Sequence, residues 1–125
     1  PIHVSRRTLQ SALVSSGMTS YQRDLTERTF RTMAGMFERC EDLRMFGSAA
    51  LDICQVAAGR LDAFWELRLH PWDYAGAGCI LREAGGQITT AEGGPLPFDQ
   101  TASVLAANAV CYEDALAVCL AARGE

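Results

Sequence analysis

Apolar positions recur along this chain with two different periods, and the switches between them mark its elements. "LQSALVSSG" is a short apolar run closed by Ser and Gly, which predicts a strand over about residues 8–15. In the next stretch Phe30, Met33, Phe37 and Cys40 return at spacings of three, four and three, the period of one helix face. Arg23, Asp24, Glu27, Arg31 and Glu38 fill the other faces, with Glu27 one turn before Arg31 as an ion-pair partner. Thr19 or Ser20 is placed to cap this helix. Its Met and Phe stripe reads as core rather than as a cofactor contact. "LRMF" predicts a short strand stopped by Gly47. A helix then opens at Ser48, an N-cap residue, and stops at Gly59. It is apolar nearly all round, which predicts burial nearly all round, with Asp52 and Gln55 as its polar interior residues.

"LDAFWEL" reads as a strand over about 61–67, and Pro71 suits the first position of a helix running to about Ala84. Gly85 and Gly86 end it. "QITT" and "SVLAAN" predict two more strands, and "CYEDALAVCLAA" a closing helix. Strands and helices thus alternate, then two strands and a helix follow. That order predicts an α/β fold, a layered, largely parallel sheet with helices on both faces. No repeat, linker or low-complexity stretch divides residues 1–125, so one domain is expected.

Composition narrows the partners. A formal charge of -4 offers no basic field for nucleic acid. All the basic residues except the two His are Arg, which we read as composition bias. The five Cys are odd in number and include no CxxC pair, which argues against a disulfide framework or a zinc site. No apolar run approaches the ~20 residues that span a bilayer, and the first residues lack a signal peptide's pattern. A cytoplasmic protein is expected. The chain opens on Pro1 in what reads as the approach to a strand, so it is expected to be a portion of a longer polypeptide.

Two strand-to-helix junctions should lie on the sheet edge where α/β proteins gather ligands. At the first, Gly47 permits a tight turn, and the backbone of Ser48 and Ala49 opens a helix with unpaired N–H groups. Such a terminus holds an anion or the hydroxyls of a polyol. Ser48 has no His or Asp at a readable spacing, so it is a cap and not a nucleophile. At the second junction Glu66 closes a strand and Asp73 opens a helix, with His70 in the loop between them. Each carboxylate has two readings. Asp73 is stabilised by the helix dipole as a cap, and is equally placed to ligate. Glu66 is either a solvent-facing strand end or a pocket wall. Gly76 and Gly78 inside the second helix suggest a packing need, because each costs roughly 1 kcal/mol relative to Ala.

"GSAALDICQVAAGRLDAFWE" followed by "HPWDYAGAGCILREAGG" closely resembles the C-terminal half of the inositol monophosphatase family. The "WDxAGAxxIxxEAGG" pattern is that family's second signature. The resemblance covers nearly all 125 residues. It implies a magnesium-dependent, lithium-sensitive phosphomonoesterase acting on an inositol monophosphate or a related polyol phosphate. It implies Mg²⁺ ligation and substrate contact at Asp73, contact with the sugar ring at Glu66, and substrate hydroxyls beside Gly47, Ser48 and Ala49. The family's first signature, a "DPxDGT"-like stretch, does not occur in this chain, nor does the upstream Glu that helps hold the metals. The resemblance therefore places no catalytic residue here and implies that this chain alone is inactive. Its expected partners are the missing N-terminal half or a second copy, in a homodimer, with neither nucleic acid nor membrane involved. The alternative is a truncated, non-catalytic α/β module serving in protein association.

Overall fold

A computed structural model describes residues 2–18 and 23–123. Strand β1 is Leu13–Ser16, preceded by a 3-10 turn at Leu9–Ser11. Helix α1 follows at Thr26–Arg39, then β2 at Asp42–Arg44, α2 at Ala49–Ala57 and β3 at Ala63–Leu69. Helix α3 is Pro71–Glu83, β4 is Gln87–Thr89, β5 is Ala102–Ala107, and α4 closes the chain at Tyr112–Ala121. The predicted start of the first strand is a 3-10 turn instead. The predicted caps Thr19 and Ser20 lie outside the described residues.

The five strands form one sheet in the order β2-β1-β3-β5-β4. β1 pairs in parallel with both β2 and β3, while β5 runs antiparallel to β3 and to β4. Four strands therefore share one direction and β5 opposes them. Crossover handedness explains the layers. The step from β1 to β2 goes one way along the sheet, and the steps from β2 to β3 and β3 to β4 go the other way. Right-handed connections then put α1 on one face and α2 and α3 on the opposite face.

Each face has its own core. Phe64, Val104 and Ala106 pack under Ile53 and Val56 of α2 and Tyr74 and Leu81 of α3. Trp65, Leu67 and Leu105 pack under Met36 of α1 and Tyr112, Ala115 and Val118 of α4. Adjacent residues Phe64 and Trp65, both essentially fully buried, thus serve opposite cores, as the two-residue period of a strand requires. Burying one such side chain stabilises the fold by about 1.5–3 kcal/mol.

The predicted stripe of α1 is only partly its buried face: Met33 and Cys40 pack against the core, and Phe30 and Phe37 do not. Thr29, Thr32 and Met36 point inward, and Phe30 and Phe37 are 52% and 66% exposed. Arg31 donates to the carbonyls of Ala122 and Arg123 at the end of α4, where a cation complements the helix dipole. Nor is α2 buried all round, because Ala50 and Leu51 face outward. Of the two predicted packing glycines, Gly78 is buried and a Cβ there would stand 3.2 Å from Ile88. Gly76 faces open space.

The start of β3 is fixed by a fully buried carboxylate. Asp62 accepts from Arg7 Nε, from Ser5 Oγ and, at 2.8 Å, from the Leu13 N–H. Asn108, at the end of β5, binds Ser5 and Arg7 O and receives the N–H groups of Val110 and Cys111. This network ties the first residues to β1, β3 and β5, and so sets the register at which the opposite strand ends form the site.

Candidate functional site

The parallel strands β1, β2 and β3 all end on the same sheet edge, and the predicted junctions lie there. Gly47 has φ +90, a backbone conformation that favours glycine. Ser48 is the N-cap of α2, its hydroxyl accepting from the Leu51 N–H at 3.4 Å. The first N–H groups of α2 therefore point outward at the turn, as at any helix start.

Glu66 does not close its strand, because β3 continues to Leu69. The pairing with β5 slips between Glu66 and Leu69, where a bulge lies. β1 is shorter, its last pair being Ser16 with Trp65. Glu66 therefore reaches beyond β1 on the face that carries α2 and α3. There it meets the start of α2. A pocket of about 110 Å³ is lined by Gly17, Met18, Gly47, Ser48, Ala49, Asp52, Phe64 and Glu66. The structure thus brings together four of the five predicted residues, Gly47, Ser48, Ala49 and Glu66.

Asp73 stands beside this pocket rather than in its wall. It is the third residue of α3, and its Oδ2 accepts from the His70 N–H at 3.1 Å. The capping reading is therefore realised, and among the described residues Oδ1 makes no hydrogen bond. His70 does not enter the pocket; its ring stacks on Trp72 at 4.4 Å, and Trp72 is 77% exposed. Asp73 is near enough to act on Glu66. Burial first, then the charges of Asp73 and Asp52, push the Glu66 carboxyl up to about 7.

Four residues of the wall, Gly17, Met18, Asp52 and Phe64, were not site candidates from the sequence. Asp52, only 2% exposed, lines the pocket from the first turn of α2; burial raises its carboxyl pKa, against a smaller opposing effect of the Ser15 hydroxyl. A carboxylate inside an otherwise apolar helix was its available signal. Gly17 gave no signal of its own, since only the end of β1 explains it.

The chemistry of this wall suits hydroxyl groups. Helix-start N–H groups donate, and two carboxyls accept. Among the described residues no Arg or His lines the pocket, so a phosphate would meet net negative charge from them and needs a cation to be held. The described residues do not build one: no three His, Cys, Asp or Glu among them converge on a point. Magnesium takes about six oxygen ligands. Asp73 can offer one carboxylate oxygen, which is a ligand and not a site.

Comparison with known proteins places this geometry. Residues 1–123 match the inositol monophosphatase family. An inositol-1-monophosphatase of Bacillus subtilis is 52% identical over 77 residues, which cover 61% of this chain and 29% of that protein. The Nus factor SuhB of Vibrio cholerae is 37% identical over 102 residues, covering 82% of this chain and 38% of its own length. The inositol monophosphatase of Anabaena (Nostoc) sp. PCC 7120 superposes with a TM-score of 0.89 at 29% identity, over 98% of this chain and 50% of that one. The chain therefore spans about half the length of that solved relative and less of the curated ones. With the match running from end to end and the same α/β layers beneath it, this chain belongs to the inositol monophosphatase family.

Proposed function

We propose that this chain forms the C-terminal half of a magnesium-dependent phosphomonoesterase for inositol monophosphate or a related polyol phosphate. The observation that carries the reading is the convergence of the Gly47-Ser48-Ala49 turn and Glu66 on one small pocket with Asp73 beside it. In this reading the turn and Glu66 hold ring hydroxyls. Asp73 gives one oxygen to a magnesium ion whose other ligands come from the complementary half. The ion would supply a polarised phosphate oxygen and an activated water. In this reading no described residue acts as the nucleophile or its base, and the chain alone is inactive.

A second reading is a non-catalytic module for protein association. Two observations favour it: among the described residues no three His, Cys, Asp or Glu are grouped to hold a metal, and relatives carry a name, Nus factor SuhB, that is not that of a hydrolase. One experiment separates the two. The chain is mixed with the N-terminal half of the Bacillus subtilis relative, and magnesium-dependent phosphate release from inositol monophosphate is followed. The enzymatic reading expects release from the mixture and from neither half alone. It also expects Asp73→Asn to lower the rate by about 100-fold or more, a loss of at least 2.7 kcal/mol of transition-state stabilisation on the scale of roughly 1.36 kcal/mol per tenfold. Release that is indifferent to Asp73→Asn would remove Asp73 from the metal site. A bound but inactive mixture supports the second reading.

A further inference from the structure

Gly17 follows the last residue of β1, and its N–H donates to the Trp65 carbonyl at 3.1 Å. A Cβ at this position would stand 1.6 Å from Glu66 Oε1, 2.3 Å from Cδ and 3.1 Å from Cγ. The whole end of the Glu66 side chain therefore lies against the Gly17 Cα. The backbone does not itself require glycine here, because the glycines with positive φ are Gly47, Gly59, Gly85 and Gly93. The atoms in the way belong to a flexible side chain and not to backbone. An Ala at this position is accommodated by moving Glu66, with the strands left in place.

We propose that Gly17 is a positioning residue of the pocket: its missing side chain is the seat that holds the Glu66 carboxyl against the end of β1 and keeps the space beside the α2 start open to a ligand hydroxyl. Displaced from that seat, Glu66 has two directions. One leads into the 110 Å³ pocket and fills it. The other leads outward, past the pocket mouth. Among the described residues the charged groups that act on it are Asp73 on α3 and Asp52 on α2, both of its own sign. Arg68, two residues along β3, is joined to Asp24. Neither of these described charges draws the displaced carboxyl back to its place; the seat at Gly17 does.

The inference rests on the polyol reading only for what the seat serves, and the test keeps the two apart. NMR spectra of the full 125-residue chain are recorded for wild type, Gly17→Ala, Glu66→Ala and the double variant, with myo-inositol as the probe. In the wild type we expect an NOE between the Gly17 α-protons and the Glu66 γ-methylene, and a myo-inositol response at the amides of Ser48 and Ala49. Gly17→Ala should keep the dispersed spectrum, lose the contact, shift the Glu66 side-chain resonances and weaken the myo-inositol response at least tenfold. Its thermal midpoint is compared through a cycle: adding Gly17→Ala to Glu66→Ala should leave the midpoint where Glu66→Ala alone put it, because the clash is gone. Unchanged Glu66 resonances in Gly17→Ala, or the same loss of midpoint with and without Glu66, would overturn the proposal. A wild type that shows the Gly17–Glu66 contact and no response to myo-inositol sinks the polyol reading and leaves the seat standing.

Discussion

Glu66 is a carboxyl whose burial and neighbouring carboxylates oppose its charge. Burial, then Asp73, then Asp52 raise it from 4.5 to about 7. The sign of the consequence is fixed by linkage. Between these two values the native state keeps a proton that the unfolded chain has released. Stability therefore falls as pH rises from about 4.5 to about 7 and is level above that, as far as this group is concerned. Because Glu66 is partly open to solvent, the effect is of order 1–2 kcal/mol after screening. Thermal melts of wild type and Glu66→Gln measure it. The midpoint of the wild type should drop further than that of the variant between about pH 5 and about pH 8. Equal pH profiles would show that the carboxyl is better solvated than its position indicates. The same surroundings favour a neutral carboxyl, which both donates and accepts, a form matched to a ligand hydroxyl.

Helix α1 shows how periodicity identifies an element without selecting its face. Phe30, Met33 and Phe37 have helical spacing, and so have Thr29, Thr32 and Met36. Only the second set is fully buried; Met33 packs partly against the same core, while Phe30 and Phe37 are exposed. The first set, with Ala34 and Leu43, lines an apolar groove of about 290 Å³ on the outside. Gly35 reinforces the choice, since a Cβ there would come within 2.8 Å of Val118 where α1 crosses α4. The measurable consequence reverses the hydrophobic ranking of the sequence. Met36→Ala should cost about 2–4 kcal/mol in urea unfolding, as a large-to-small change in a packed core does. Phe37→Ser, at a side chain 66% exposed, should lie within about 1 kcal/mol of wild type. A larger cost for Phe37 than for Met36 would mean that α1 is rotated on the sheet.

Across the whole molecule, exposed apolar side chains are concentrated on the helices and around β2. Phe46 and Leu51 border a pocket of about 250 Å³ beside Leu13 and Leu61, and Ile80 and Cys79 border another with Ile2. Trp72 and Met45 stand largely in solvent. β2 is an open sheet edge. Such surfaces are met by other protein surfaces, or they drive association. The solved relative is twice as long as the stretch that this chain matches, so a complementary half is the partner we propose, with a second copy in its absence. Sedimentation velocity of the chain alone should show mass rising with concentration, and addition of the complementary half should suppress it. A monomer that persists at about 100 μM would count against both partners. Among the described residues no helix is long and apolar enough to cross a membrane.

The sequence by itself determined the alternation of strands and helices, the cap at Ser48, Pro71 at the start of α3, and the family pattern around Asp73. Those features are local: a cap, a turn glycine or a period needs only its chain neighbours to be read. It also brought Gly47, Ser48, Ala49 and Glu66 forward as candidates, because strand-to-helix junctions gather on one sheet edge. Only the tertiary structure decided that Asp52 lines the pocket, that Gly17 touches Glu66, that Asp73 stands beside the wall, and which faces of α1 and α2 are buried. Gly17 and Glu66 are far apart in sequence, and they meet because β1 stops one residue short while β3 runs on into a bulge. Register, strand length and crossover direction are set by packing against distant residues, and no local pattern contains them.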